Sequence, residues 1–142
     1  MVQRDFIKRQ LEELGRAIAK VITDILKLKE EGNVNDGIKM AEETLKNIFD
    51  LEAEHIRSIP LDNFIEILIK EKKIIPAQLS YLADLLFATA ELYELKNEKM
   101  KSENLYQRVL KIFNYVNQTE KTFSLERNNK IEKIKNNLGI IN

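Results

Sequence analysis

The sequence predicts an all-α fold, with five or six amphipathic helices arranged as stacked antiparallel hairpins. Three observations predict it. Apolar residues recur every three or four positions along almost the whole chain. Gly, Pro and Asn interrupt these runs where a helix has to stop. No period-two alternation bounded by hairpin-turn residues occurs anywhere. The chain has 142 residues, 44% of them hydrophobic, and no Cys, so it is long enough to bury a core without a disulfide or a structural metal. One domain over 1–142 is expected: a first hairpin over 1–58, a short helix and connection over 59–75, a second hairpin over 76–118 and a C-terminal capping segment over 119–142.

The first helix carries Ile7, Leu11, Leu14, Ile18, Val21, Ile25 and Leu28 in alternating steps of four and three. A second stripe, Ala19, Ile22 and Leu26, runs beside the first, so this helix is expected to pack between neighbours. Gly32 suits its C-terminal turn and Asn33 the start of the next helix, making a tight hairpin. The second helix repeats the period through Val34, Ile38, Ala41, Leu45 and Ile48 and fades at Ser58-Ile59-Pro60, since proline is excluded from a helix interior. Leu61, Phe64, Ile65, Leu68 and Ile69 predict a short helix, and Pro76 suits the first position of the next one. That helix, Pro76 to Lys96, has a broad apolar face in Leu79, Leu82, Leu85, Leu86, Leu92 and Tyr93 and is expected to be central. Asn97, which tolerates the left-handed conformation, marks a second tight turn before a helix with Leu105, Val109, Ile112 and Val116. A final segment with Ile131, Ile134, Leu138 and Ile141 is expected to cap the fold; Ser58 and Ser124 read as helix caps.

The two hairpins share one frame. Leu28, Gly32, Gly37, Ala41 and Leu45 match Tyr93, Asn97, Ser102, Tyr106 and Leu110 at a constant offset, with small residues where helices have to approach. Leu86-x2-Thr89-Ala90-x2-Tyr93 followed by Ser102-x3-Tyr106 resembles the tetratricopeptide pattern W-x2-L-G-x2-Y then A-x3-F. Leu stands for Trp, Thr for Leu, Ala for Gly and Ser for Ala, and the closing Pro is missing, so two degenerate hairpins are expected rather than a regular solenoid. The chain also resembles an uncharacterised bacterial family of unknown function whose members are tetratricopeptide-like. The residues that carry this are Gln3 to Gly15, Leu45 with Leu51, and Leu79-x2-Leu82-Ala83-Asp84-Leu85-Leu86. The resemblance implies an all-helical fold and brings no activity, substrate or catalytic residue.

Composition narrows function by exclusion. Lys+Arg and Asp+Glu both number 23, so bulk charge does not favour nucleic acid or an acidic membrane. The absence of Cys excludes a thiolate nucleophile and a Cys-based zinc site. The charged N-terminal stretch is unlike a secretory signal and no apolar run approaches a membrane span, so a cytoplasmic protein without a membrane segment is expected. The serines lie in no nucleophile-elbow context and the glycines form no phosphate-cradling loop, so the reading is non-enzymatic and without a cofactor.

The one motif with metal-binding flavour is Glu52-Ala53-Glu54-His55, since Glu-x-x-His on a helix points both groups to one side. With a single His in the chain, such a site needs assembly across a homodimer; a solvated His near a helix C-terminus is the plainer reading. Arg127, Lys130, Lys133 and Lys135 offer phosphate contacts, but only Phe123 is at hand for stacking, so nucleic acid is not expected as a partner. Stacked hairpins instead offer a concave face for a protein or peptide partner, lined by Ala19, Ile22, Leu26 and Lys29 from the first hairpin and Asp84, Phe87, Glu91 and Glu94 from the second. Two other arrangements stay open: Ile22, Leu26 and Phe87 as core, or a groove filled by the Leu61 to Ile69 helix or the C-terminal segment. In that second case a homodimer interface is the natural use of a leftover apolar face.

Overall fold

The computed structural model describes the backbone over 2–140 and side chains over 4–140; Ile141 and the side chain of Gln3 lie outside the described residues. All described secondary structure is helical: α1 (Val2–Glu30), α2 (Val34–Phe49), α3 (Ala53–Ser58), α4 (Phe64–Lys70), α5 (Leu79–Leu95), α6 (Lys99–Thr119) and α7 (Leu125–Leu138). Single 3₁₀ turns, Leu61–Asn63 and Pro76–Gln78, precede α4 and α5. Among the described residues no helix is long and apolar enough to cross a membrane.

The α1–α2 and α5–α6 hairpins turn in the same way. The Asn33 N–H donates to Leu28 O at 2.8 Å and the Gly32 N–H to Lys29 O at 3.1 Å; the Glu98 N–H donates to Tyr93 O at 2.9 Å and the Asn97 N–H to Glu94 O at 3.1 Å. Each pair is the six-to-one and five-to-two bonding of a Schellman turn, which needs a left-handed residue at its hinge. Gly32 (φ 82°) and Asn97 (φ 64°) supply it, so the shared frame seen in the sequence is a shared turn.

The long helices then pack by level. Tyr81 lies against Gly15, and Leu28 and Leu92 both approach Gly37, so α5 runs parallel to α1 and antiparallel to α2. Gly37 permits this approach, because a Cβ there would stand 3.1 Å from a Leu92 methyl. α5 is buried nearly all round, with Leu79, Leu82, Leu85, Leu86, Ala90 and Leu92 all closed to solvent, as expected for the central helix.

The middle of the chain departs from expectation. The second helix was expected to reach Ser58, but it stops at Phe49, where Asp50 turns left-handed (φ 55°) and the Leu51 N–H returns to Leu45 O at 3.2 Å. This turn drives Leu51 into the core and starts the separate helix α3, giving seven α-helices among the described residues rather than five or six. Ser58 caps no helix start: its hydroxyl donates to His55 O at 2.7 Å within the last turn of α3. Ser124 does cap α7, accepting from the Arg127 N–H at 3.2 Å.

Arg108 ties this irregular stretch to α6. It is 5% exposed and among the described residues has no carboxylate partner; instead its guanidinium donates to Ile56 O at 2.8 Å, to Ile59 O and to Asn104 O at 3.2 Å, over the face of Phe64. Ile59 O, just past the end of α3, has no backbone N–H of its own, while Ile56 O also accepts the Ile59 N–H at 3.3 Å. Arg108→Met leaves Ile59 O unpaired and removes the shorter of the two bonds to Ile56 O, and is expected to lower stability by about 1–3 kcal/mol. Arg108→Lys should recover little, since one ammonium cannot fork to both Ile56 and Ile59. Denaturant midpoints at unchanged slope provide the check.

Candidate interaction surface

The stripe Asp84, Phe87, Glu91, Glu94 follows helical spacing along α5, so its side chains share one face. α7 lies on that face and runs parallel to α5. Lys130 Nζ is 2.9 Å from Asp84 Oδ1, Lys133 pairs with Glu91, and the Asn137 amide donates to Glu94 Oε1 at 3.4 Å. Phe87, 7% exposed, lies under both ammonium groups, each 5.5 Å from its ring centroid, and meets Tyr106 of α6 edge-on at 5.7 Å. The Tyr106 hydroxyl donates to Glu94 Oε1 at 2.9 Å. Ile131 and Ile134 of α7 are buried in the core.

Arg127 fixes the entry into α7. Its Nε donates to Asn117 Oδ1 at 2.7 Å and its Nη2 to Thr122 O at 3.3 Å, and its Nη1 pairs with Glu120 at 3.4 Å. The residues proposed from sequence for phosphate contact are therefore engaged within the chain: Arg127 is buried, and Lys130 and Lys133 neutralise acids of α5.

Of the expected partner-binding residues, the structure brings Asp84, Phe87, Glu91 and Glu94 together on the side met by α7, which closes over Phe87, partly covers Asp84 and Glu91, and leaves Glu94 exposed. Phe87 is not an exposed anchor but part of the core, because Tyr106 and two lysines close over its ring. The counterparts on α1 are divided: Ile22 packs against the main core, Lys29 is half-buried, and Leu26 is 42% exposed. Tyr106, Arg127 and Asn137 were not assigned to this face from sequence. Tyr106 was visible only as a repeat position, and the matched stripes Lys130, Lys133, Asn137 and Asp84, Glu91, Glu94 were the signal that α7 belongs there.

Glu52 and His55 do not share a helix face as expected. Glu52 is extended backbone just ahead of α3 and pairs with Lys46 at 3.5 Å, while His55 is exposed. They line an open cleft of about 540 Å³ with Lys39, Glu42, Glu43 and Glu54. Among the described residues no set of three or more His, Asp or Glu side chains is grouped to hold a metal ion.

Burial sets the electrostatics at the α5–α7 contact. It raises the Asp84 carboxyl above its ordinary range, and Lys130 offsets this only in part. Burial opposes the Lys130 ammonium, but Asp84 and Glu126 outweigh it, so the lysine stands above its ordinary value. Burial, reinforced by Glu94, raises the Tyr106 phenol well above the usual tyrosine range. Comparison with protein-family models, curated proteins and solved structures gives no match to this chain.

Two predictions follow from this geometry. Phe87→Ala is expected to cost about 3–5 kcal/mol, as for a fully packed aromatic, whereas Leu26→Asp should change stability by less than about 1 kcal/mol. Circular-dichroism melts of the two variants distinguish core from surface. Lys130 and Tyr106 both have folded-state pKa values above the unfolded ones, so their stabilisation is whole below the unfolded values, 10.5 and 10.0, and is lost as pH rises through the folded ones. Stability should therefore fall above about pH 10, less steeply in Tyr106→Phe, when unfolding is followed across alkaline pH.

Proposed function

We propose that this chain is a non-enzymatic protein-interaction module, a small scaffold of degenerate tetratricopeptide-like hairpins that binds a protein or peptide through its helix faces. The observation that carries this reading is the parallel succession of α1, α5 and α7. Tyr81 of α5 lies on Gly15 of α1, and Lys130 of α7 lies on Asp84 of α5, so each helix is laid level on the one before. Such stacking leaves a row of parallel helix faces, the surface that solenoid proteins use for partners. Leu26, 42% exposed and beside half-buried Lys29, is an apolar residue of that row left open on α1, as Phe6 and Ile7 are nearer its start.

The test is a photo-crosslinker placed at Leu26 in the full chain, expressed in its own cells, with native mass spectrometry of the recovered complex. A stoichiometric companion crosslinked at this position, and lost in Leu26→Asp with helicity unchanged, is the expected result. A chain recovered alone, with no crosslinked product, overturns the reading.

A further inference from the structure

Several features of the α5–α6 groove define what fits it. Its acidic edge, Asp84, Glu91 and Glu94, runs beside an aromatic floor of Phe87 and Tyr106, and the helix now lying there is basic at matching positions. α7 does not fill the space. A cleft of about 410 Å³ remains at its C-terminal end between Glu94, Ser102, Tyr106 and Asn137, and a cavity of about 120 Å³ remains near its start between Asp84, Phe113, Arg127 and Lys130.

The helix itself is a modest ligand. Four of its 14 residues are Asn, a poor helix former, and an isolated helix of this length is marginal in water. Its wholly buried apolar contribution is Ile131 and Ile134, while the Lys133 and Asn137 contacts lie at the solvent-exposed rim.

We propose that the α5–α6 groove is a receptor for a basic amphipathic helix of another protein, and that α7 is its built-in, underfilling occupant. The partner helix carries Lys or Arg at the positions of Lys130 and Lys133, aliphatic residues at those of Ile131 and Ile134, and a bulky apolar residue where α7 has Asn137. A second copy of this chain is a poorer candidate, since its α7 would leave the same clefts open. This inference rests on the interaction-module reading and names the partner for one of its faces.

The probe is a labelled synthetic peptide spanning residues 122–140 with Asn137→Phe. The receptor is the full chain with Lys130→Glu and Lys133→Glu, which sets like charge against Asp84 and Glu91 and unseats α7. Fluorescence anisotropy should show this variant binding the peptide at least about tenfold tighter than the wild-type chain, where α7 competes at an effective concentration near the millimolar range. Adding Asp84→Lys and Glu91→Lys restores the charge match in cis and should abolish binding.

Hydrogen exchange on the unmodified chain gives an independent measure that does not depend on the variant folding. Saturating peptide should raise deuterium uptake over 125–138 and leave α1 and α2 unchanged. No binding by a variant that still melts cooperatively, or no change in exchange over 125–138, overturns the proposal. So does dimerisation of the wild-type chain by exchange of α7 between copies. Failure here with retained crosslinking at Leu26 removes this partner and leaves the interaction-module reading standing; loss of both removes both.

Discussion

The burial of α5 is the constraint on which the rest of the molecule depends. A helix packed by α1, α2 and α6 and met along its remaining side by the lysines of α7 leaves little water for the polar side chains in its middle, so those side chains take protein partners. Thr89 meets this by returning its hydroxyl to Leu85 O at 2.8 Å, and Asp84 by taking the Lys130 ammonium. The apolar residues of α5 set the spacing of its neighbours, and its few acids decide which neighbour can occupy the last side. A basic helix is admitted there because bare carboxylates at that depth are costly.

Order along the stack comes from small residues and left-handed hinges. Gly37 lets α2 come close to both Leu28 and Leu92, which brings α1 and α5 to the same level. The paired turns at Gly32 and Asn97 then send α2 and α6 back through the same Schellman bonding. Between the hairpins the chain cannot continue this pattern, because Leu51 and Ile59 must reach the core from irregular backbone on either side of the short helix that buries Ile56. Arg108 resolves the resulting problem of exposed carbonyls by reaching across from α6, so a buried cation serves here as a backbone cap rather than as half of an ion pair.

The α5–α7 contact separates affinity from specificity. Ile131, Ile134, Phe87 and Tyr106 supply apolar burial, which is indifferent to sequence detail. Lys130, Lys133 and Asn137 choose register and orientation, since each meets a different acid along one α5 stripe. Surface charge pairs contribute little stability but strongly disfavour mismatched partners. The same division makes the face readable as a receptor: a floor that accepts any aliphatic helix and an edge that accepts only a basic one.

Helical class, the central place of α5, the hinges at Gly32 and Asn97, and the breaks at Pro60 and Pro76 were all legible in the sequence. Each depends on local physics, namely apolar period, left-handed tolerance and the missing proline N–H, that a single segment already expresses. The early end of α2 was not legible, because Asp50 leaves the helix only so that Leu51 can enter a core built by distant residues. Nor was the fate of the acidic stripe on α5: Asp84, Phe87, Glu91 and Glu94 look the same on paper whether they face water, a partner or another part of the chain. Their cover, α7, lies 30 or more residues further along the chain, and only the packing of α5 against α6 creates the groove that receives it. The sequence determined which surfaces want to be covered; tertiary structure decided which of them the chain covers for itself.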